Sequence, residues 1–248
     1  MKARVLGVAA LAATLALGVG CGGGNAPAAV SPSGSGALAA RGPQPAENAP
    51  AGNAMTPPPE LAATRVDPAR VPVASADAPS RGPSNAPVTL QVFSDFECPY
   101  CALAAPVVRE LEAEFGGSLR IVWRNLPLPM HPHAALAAAA ALEVYAQRGG
   151  AAFWRFHDAA FAAQRGGLDE VVLERLARDE GVDLASYRAA IAAHAHDARI
   201  KADLEAGDAA GINGTPAFFV NSWFTVGALP YPEMRAIVVQ ALRESGAR

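Results

Sequence analysis

The chain has 248 residues and a formal net charge of −3, with 20 Lys and Arg residues against 23 Asp and Glu residues. This balance, with no basic stripe, argues against a nucleic-acid partner. Hydrophobic residues make up 51% of the chain, but 23 Gly and 21 Pro residues accompany them, so a core can form only where the apolar residues are concentrated.

The N-terminus has the pattern of a secretory signal peptide. Lys2 and Arg4 precede an apolar stretch, 5–19, which is short for a membrane span, and Cys21 follows it. The segment 1–21 resembles a bacterial lipoprotein processing region, in which the cysteine carries lipid. We therefore predict a protein of the bacterial cell envelope, facing the periplasm or extracytoplasmic space and anchored to a membrane through Cys21. A plain secretory signal that is cleaved nearby is the alternative.

Residues 22–83 are rich in Gly, Pro, Ala and Ser and contain few large apolar side chains. Such a segment cannot bury enough surface to offset the entropy of ordering it. The composition predicts a disordered tether, followed by one folded domain over residues 84–248.

The folded domain opens with a short apolar strand pattern, 88–93, and a Cys-Pro-Tyr-Cys motif at 98–101. Pro99 is suited to the first position of a helix, which places Cys98 at the helix N-terminus. Unpaired amides and the helix dipole stabilise a thiolate there. We expect Cys98 to be an exposed nucleophile and Cys101, one turn inside the helix, to be the more buried resolving thiol.

The cysteine count supports a redox role for this motif. The chain has three cysteines, so Cys98 and Cys101 have no competing disulfide partner if Cys21 carries lipid. Half of a zinc site is the alternative, but no second Cys-x-x-Cys or suitably spaced Cys/His pair follows. We predict a redox-active disulfide that needs neither a metal nor an organic cofactor.

The hydrophobic periodicity predicts strand–helix–strand, several helices, a hairpin and a last helix. The first two strands are expected to be parallel. The predicted elements after the first strand are helices at 99–115, 134–147, 151–164, 168–180, 184–210 (as two helices) and 232–243, and strands at 119–124, 217–220 and 223–226. This order is that of an α/β thioredoxin-like fold with an inserted α-helical domain at about 134–210. The aromatic side chains of 153–161 are spaced as one helix face and predict core.

Four blocks of the sequence resemble DsbA-like thiol-disulfide oxidoreductases and occur in that family's order: Phe93–Cys101, Pro127–His131, Phe153–Asp158 and Gly211–Val220. The resemblance implies a thioredoxin fold with a helical lid that acts on disulfides of exported proteins. It implies that Pro216 is a cis-proline facing Cys98 and that Thr215 offers its backbone to a substrate strand. It also implies that Pro99 and Tyr100 tune the redox couple.

Within this family, a dithiol oxidase is the first interpretation. Strong oxidants of the family usually carry histidine where this chain has Tyr100, and Thr215 is commoner in isomerase-type and reductase-type relatives, so a disulfide isomerase or reductase is the alternative. Nothing in 22–83 resembles an isomerase dimerisation module, which favours a monomer with a quinone-linked membrane enzyme as reoxidant. A non-catalytic peptide- or copper-binding lipoprotein is the alternative of another class.

Ionisable residues near the motif have more than one interpretation. Asp95 and Glu97 could oppose thiolate formation, or Glu97 could shuttle a proton to the second cysteine. The plainer interpretation is two solvated acids beside a turn. His131 and His133 could be a metal pair, but a loop that packs beneath the helical insertion is favoured.

Overall fold

The computed structural model describes residues 61–246. The predicted signal peptide, Cys21 and the first part of the predicted tether lie outside the described residues. Within 61–246, no helix is both long enough and apolar enough to cross a membrane. The elements are, in chain order, β1 (Thr64–Arg65), β2 (Ser80–Arg81), β3 (Val88–Ser94), α1 (Pro99–Phe115), β4 (Leu119–Asn125), α2 (Ala134–Ala163), α3 (Glu170–Asp179), α4 (Leu184–Ala192), α5 (Asp197–Ala209), β5 (Ala217–Val220), β6 (Trp223–Val226) and α6 (Tyr231–Glu244).

The strands form one mixed sheet in the order β1-β6-β5-β3-β4-β2. The central strands β3 and β4 are parallel, as predicted, with Val88 opposite Leu119. Strands β5 and β6 form an antiparallel hairpin on the other side of β3. Every side chain of β3 and β4 is buried except those of Thr89 and Arg120, which are half-buried. The buried polar side chain of Gln91 within β3 is satisfied by hydrogen bonds with the Pro72 carbonyl oxygen and with Arg124.

Helices α2 to α5 form the predicted insertion between β4 and β5. Gly149, with φ 78° and ψ −174°, interrupts α2 where the sequence predicts two separate helices. The second half of α2 carries Phe153 and Phe156, which are fully buried and pack with Phe96 and Trp123. This aromatic core lies between the insertion and the sheet and confirms the prediction that this helix face is core.

A buried ion pair fastens the insertion to the sheet. Nε of Arg124 on β4 lies 2.6 Å from Oδ1 of Asp203 on α5, and the two side chains are 3% and 0% exposed. The other carboxylate oxygen of Asp203 accepts the backbone and side-chain N–H groups of Asn125 at 3.0 and 3.1 Å. Since both oxygens are hydrogen-bonded, the buried charge is compensated.

The folded domain begins earlier than the sequence predicts. Residues 61–83, assigned to the tether by composition, contribute β1 to one edge of the sheet and β2 to the other. The segment is held by apolar and polar contacts together. Leu61 and Val71 pack against the hydrophobic core, the carbonyl oxygen of Pro72 accepts from Gln91 at 2.6 Å, and that of Val73 accepts from Arg124 at 2.9 Å. Every residue has a backbone carbonyl, so amino-acid composition does not reveal contacts of this kind. The predicted domain boundary at residue 84 is therefore wrong, because residues 61–83 belong to the folded domain.

Candidate active site

The predicted strand-to-helix junction is observed at the cysteine motif. Cys98 is the N-cap residue of α1 and has an extended backbone conformation, and Pro99 takes the first helical position. The amide of Cys98 donates to the carbonyl oxygen of Asp95 at 3.2 Å, and the carbonyl oxygen of Cys98 accepts from Cys101 and Ala102 at 3.1 and 3.2 Å. Both cysteines therefore lie at the end of α1 where the helix dipole favours negative charge.

Both thiols are buried, with 3% of Cys98 and 2% of Cys101 exposed, and no disulfide joins them in the structure. The expectation of an exposed Cys98 is therefore wrong. Its Sγ lies 3.3 Å from the carbonyl oxygen of Thr215, and Gln164 of the insertion donates to the carbonyl oxygen of Cys98 at 2.9 Å. Gln164 lies 66 residues away in the sequence, and no local pattern reveals that it encloses the site, whereas the block 211–220 points to Thr215.

The environment of the site distinguishes the two thiols. The pKa of Cys98 is lowered from 9.0 to about 5. A hydrogen bond from Cys101 lowers it most, burial opposes this, and the Thr215 side chain and the amides of Cys101 and Tyr100 lower it further. The pKa of Cys101 is raised well above 9.0, first by burial and then by the neighbouring Cys98. Near neutral pH, Cys98 is thus a thiolate and Cys101 a thiol.

Thr215 and Pro216 face the motif from the loop before β5. Their peptide bond is cis, as the resemblance implies. The contact between the Thr215 carbonyl oxygen and Cys98 is a hydrogen bond only when Cys98 is protonated, because a thiolate and a carbonyl oxygen are both acceptors. The buried hydroxyl of Thr215 has no hydrogen-bond partner among the described residues and is available to the thiolate. The structure brings these residues together as predicted, while binding of a substrate strand here stays a prediction.

Exposed apolar side chains lie on the first turns of α1 and on the Pro-rich loop that packs against Asp95 and Glu97. Tyr100 and Leu103 are each 61% exposed, and Met130, in the Pro-rich loop after β4, is 75% exposed. Tyr100 and Leu103 share one face of α1 because residues three apart are neighbours on a helix. The sequence singles out only Tyr100, because an exposed Leu or Met has no pattern that separates it from a core residue.

The carboxylates before the motif are not solvated acids, and that interpretation is wrong. Asp95 is 2% exposed. Its Oδ1 accepts the Glu97 amide at 2.7 Å, and its Oδ2 accepts the Leu128 amide at 2.8 Å and lies 2.7 Å from Nδ1 of His131. Glu97 accepts the His133 amide at 2.6 Å. These contacts hold the Pro-rich loop against the motif, in agreement with the favoured interpretation of a packed loop.

Two further predictions concern these same residues. The Glu97 carboxylate is bonded to His133, and its role as a proton shuttle stays a prediction. Each histidine of the loop is paired with its own carboxylate. Among residues 61–246, no group of three or more His, Cys, Asp and Glu side chains is placed to hold a metal ion.

One residue of the site is not singled out by the sequence. His157 on α2 is 4% exposed and lines a small cavity together with Cys101. In the sequence it lies within the block 153–158, where it looks like one more position of a buried helix face. Only the folding of α2 against α1 shows that it approaches the second cysteine.

Comparison with known proteins extends this description. A family model described as Thioredoxin matches residues 75–240. The Na(+)/H(+) antiporter NhaA 3 of Salinispora tropica is 42% identical over 174 residues, which are 68% of this chain and 26% of the antiporter. The chain thus spans about a quarter of the length of this curated relative. Because the match covers more than two thirds of this chain, and the cysteine motif lies near the middle, the matched region includes the motif.

Solved structures share the architecture. BdbD from Bacillus subtilis (oxidised) superimposes with a TM-score of 0.62 at 23% identity, covering 68% of this chain and 96% of that one. The thiol-disulfide exchange protein alpha-DsbA2 from Wolbachia pipientis gives 0.59 at 23% identity, with 67% and 88% covered. A thioredoxin-like oxidoreductase from Silicibacter pomeroyi gives 0.58 at 27% identity, with 68% and 94% covered. From the family model and the shared architecture it follows that the chain belongs to the thioredoxin family and has the DsbA-like form of its fold, with a helical insertion.

Proposed function

We propose that the protein is an envelope thiol-disulfide oxidoreductase that exchanges disulfides with exported proteins through Cys98 and Cys101, in the direction of a dithiol oxidase. The observation that carries this proposal is the opposite ionisation of two adjacent thiols, with the pKa of Cys98 lowered to about 5 and that of Cys101 raised. A thiol of low pKa is a good leaving group in disulfide exchange, and a thiol of high pKa holds its proton until it is needed.

The exchange requires only the two protein sulfurs and two substrate thiols. A substrate thiolate attacks Sγ of Cys98 in the disulfide form, the bond to Cys101 breaks, and Cys101 leaves with the electron pair and takes up a proton. The second substrate thiolate attacks the substrate sulfur of the mixed disulfide, and Cys98 leaves as a thiolate. The substrate gains a disulfide, and the electrons it loses reside on the two reduced cysteines.

The low pKa of Cys98 favours the oxidase direction. A thiolate that is stabilised in the folded protein stabilises the reduced form, which makes the disulfide more oxidising. Pro99 has no N–H, so the amides that lower the pKa are those of Tyr100 and Cys101. Isomerase or reductase activity is the alternative within the family, because Tyr100 and Thr215 are not the residues usual in its strongest oxidants.

Substrate binding is proposed at Thr215 and Pro216, with the backbone of Thr215 pairing with an extended substrate segment. The exposed side chains of Tyr100, Leu103 and Met130 would add apolar contacts. Backbone pairing and apolar contacts depend little on the substrate sequence. This suits a protein that acts on many unfolded exported chains.

The reduction potential of the cysteine pair tests the direction of exchange. Full-length protein is equilibrated with glutathione buffers and its free thiols are labelled. A value of about −120 mV supports an oxidase that a quinone-linked membrane enzyme reoxidises, whereas a value of about −270 mV overturns the oxidase direction. Cys101→Ser serves as the companion variant, since it should accumulate a mixed disulfide between Cys98 and glutathione.

A non-catalytic peptide- or copper-binding lipoprotein is the alternative of another class. Wild-type protein should oxidise a dithiol peptide, and Cys98→Ser should lose this activity completely. A binding protein would show no exchange in either form and equal peptide affinity in both. Metal analysis of the purified protein, which should find no stoichiometric copper, tests the carrier alternative.

Lipid anchoring through Cys21 is proposed from the sequence alone. The curated relatives named as antiporters carry the matched region within a much longer polypeptide, which supports a redox domain that works at a membrane. Wild-type protein should incorporate labelled palmitate and sediment with membranes, and Cys21→Ser should do neither. Equal labelling of both proteins would contradict the anchor. Light scattering of the purified protein tests the proposed monomer.

A further inference from the structure

A small cavity lies behind the second cysteine, between the sheet, α1 and α2. Its volume is about 10 Å³, which is the space that one water molecule requires. Most of its lining is apolar, but Cys101, Ser94, Trp154 and His157 also contribute to it. The indole Nε1 of Trp154 is buried and has no hydrogen-bond partner among the described residues.

His157 is set up as a neutral base in this lining. Its Nδ1 lies 2.9 Å from Oδ1 of Asp158, so Nδ1 carries the proton and Nε2 keeps its lone pair. Burial lowers the pKa of His157, Asp158 raises it, and the charges of Arg81 on β2 and Arg109 on α1 lower it. The ring is enclosed by aromatic side chains, with Trp123 and Phe161 both 4.9 Å away between ring centres.

Asp158 connects this buried imidazole to the surface. Its side chain is 36% exposed and lies 3.3 Å from Arg109. Burial raises the pKa of Asp158, but the hydrogen bond from His157 and the nearby arginine charges outweigh it, so the pKa is lowered and the group stays ionised. A proton on the His157 ring therefore has a negatively charged, partly solvated neighbour.

The exchange chemistry requires a proton to move at Cys101 in each direction. Because the pKa of Cys101 is raised well above 9.0, the thiol loses its proton when it attacks and takes up a proton when it leaves. Ser94 hydrogen-bonds to Cys101 and lowers its pKa, but a hydroxyl group does not hold an extra proton near neutral pH. His157 is the titratable side chain that shares the cavity with Cys101.

We propose that a water molecule in this cavity links Sγ of Cys101 to Nε2 of His157, and that His157 and Asp158 relay the proton between Cys101 and solvent. The inference rests on the proposed exchange function. When Cys101 resolves a mixed disulfide, its proton passes to the water and a water proton passes to Nε2. The Cys101 sulfur bonds to that of Cys98, the substrate thiolate leaves with the electron pair, and the Nδ1 proton passes by Asp158 to solvent. Substrate oxidation runs the same path in reverse.

The test separates attack by Cys98 from resolution by Cys101. Reduced full-length protein is mixed with 5,5′-dithiobis(2-nitrobenzoate), so that the first nitrothiobenzoate released reports Cys98 and the second reports Cys101. In His157→Asn, which keeps a donor near Asp158 but loses Nε2, the second phase should slow about tenfold or more at neutral pH. The deficit should disappear at alkaline pH, where hydroxide removes the Cys101 proton, and the first phase should be unchanged.

Two matched variants control for packing and charge. Phe156→Leu reduces packing at the residue before His157 on α2, and Phe156 does not line the cavity. The rates of the first and second phases should therefore match those of wild type. Asp158→Asn removes the carboxylate at a partly exposed position and should slow the second phase severalfold. Arg109→Ala removes a positive charge near His157 and Asp158 but no group that carries the proton, and Arg81 remains, so it should not slow the second phase.

Each outcome decides one claim. An unchanged second phase and pH profile in both His157→Asn and Asp158→Asn overturns the relay, as does equal slowing in Phe156→Leu. If His157→Asn does not fold, Asp158→Asn and a second-phase solvent deuterium isotope effect of about twofold in wild type carry the test, and their absence overturns the relay. A wild-type protein without a first phase refutes the exchange function itself.

Discussion

Cys98 and Cys101 lie in the same turn and are both buried, yet their pKa values move in opposite directions. The difference comes from hydrogen bonds and from unequal desolvation of the two sulfurs. The Cys101 thiol, the Thr215 side chain and two amides lower the pKa of Cys98, whereas the pKa of Cys101 is dominated by burial. Burial alone would raise both values. The reactivity of the site therefore depends on the donors around Cys98, which outweigh the effect of burial there, whereas the donors around Cys101 do not.

Replacing Cys101 by Ala should raise the pKa of Cys98, because the hydrogen bond from Cys101 lowers it most. The pH dependence of alkylation by iodoacetamide measures this pKa. Reduced wild type should show a midpoint near pH about 5, and Cys101→Ala a clearly higher one. Cys98→Ala is the control and should react only in alkaline solution, through Cys101. The same midpoint in wild type and Cys101→Ala would show that this hydrogen bond contributes nothing.

The helices and strands are joined by contacts of two kinds. Apolar side chains at regular spacing define the elements, and this pattern predicts the central strands, the insertion and the hairpin correctly. Buried polar contacts then fix the elements to one another: Arg124 with Asp203 between β4 and α5, and Asp95 with the Pro-rich loop. Such partners are far apart in the chain and have no periodicity, so the sequence does not predict them. This is why Asp95 looks like a solvated acid in the sequence and is buried in the fold.

Asp203→Ala should cost about 3–5 kcal/mol of the free energy of unfolding, because it leaves the buried Arg124 without its partner. Urea denaturation measures the loss. Glu205→Ala on the same helix is the control: its ion pair with Lys201 is exposed, and its removal should cost less than about 1 kcal/mol. Similar losses in the two variants would mean that the buried pair does not hold the insertion in place.

Gly82→Ala should destabilise the protein by about 1–3 kcal/mol. Gly82 follows β2 with a φ of +84°, and a Cβ there would lie 2.1 Å from the carbonyl oxygen of Leu119. Gly117→Ala is the matched control, since a Cβ at Gly117 meets nothing within 4 Å. Thermal unfolding of both variants tests whether residues 61–83 belong to the folded domain. Loss of stability in neither variant would contradict the close packing of this segment on β4.

For the molecule as a whole, the ionisation of Cys98 links redox state to stability. Its pKa in the folded, reduced protein is about 5, against an ordinary value of 9.0. Below both values the thiol is protonated in the folded and unfolded states and contributes nothing. As pH rises between them, only the folded state ionises, and the reduced protein gains stability. The contribution is complete above the ordinary value and is lost as pH falls towards about 5.

Reduced wild type should therefore become more stable relative to Cys98→Ser as pH rises from about 5 to 8. Urea unfolding of the two reduced proteins at several pH values measures the difference. His157, whose lowered pKa makes stability fall as pH drops below about 6.5, is present in both proteins and cancels in the comparison. Parallel stability curves would show that Cys98 does not ionise preferentially in the folded state.

The candidate site could be predicted in part from the sequence. The cysteines and the cis bond before Pro216 were accessible, because a strand, a proline-initiated helix and a family-like block mark them. The enclosure of Cys98 by Gln164 and the approach of His157 to Cys101 were not, because they arise only when α2 and the segment that follows it fold over α1. Residues 61–83 were misjudged because they contain few large apolar side chains and because several of the contacts that hold them use main-chain carbonyls, which composition does not reveal.

The sheet order has a consequence for self-association. Its two edge strands, β1 and β2, both come from the segment 61–83, so one stretch of chain forms both edges of the sheet. At an unpaired edge strand, neighbouring molecules can add strands of their own and begin to aggregate. At each edge of the sheet this segment forms a strand of only two residues, which is a poor template for the addition of another strand. A protein that handles unfolded chains would thereby keep its sheet from pairing with the extended polypeptides around it.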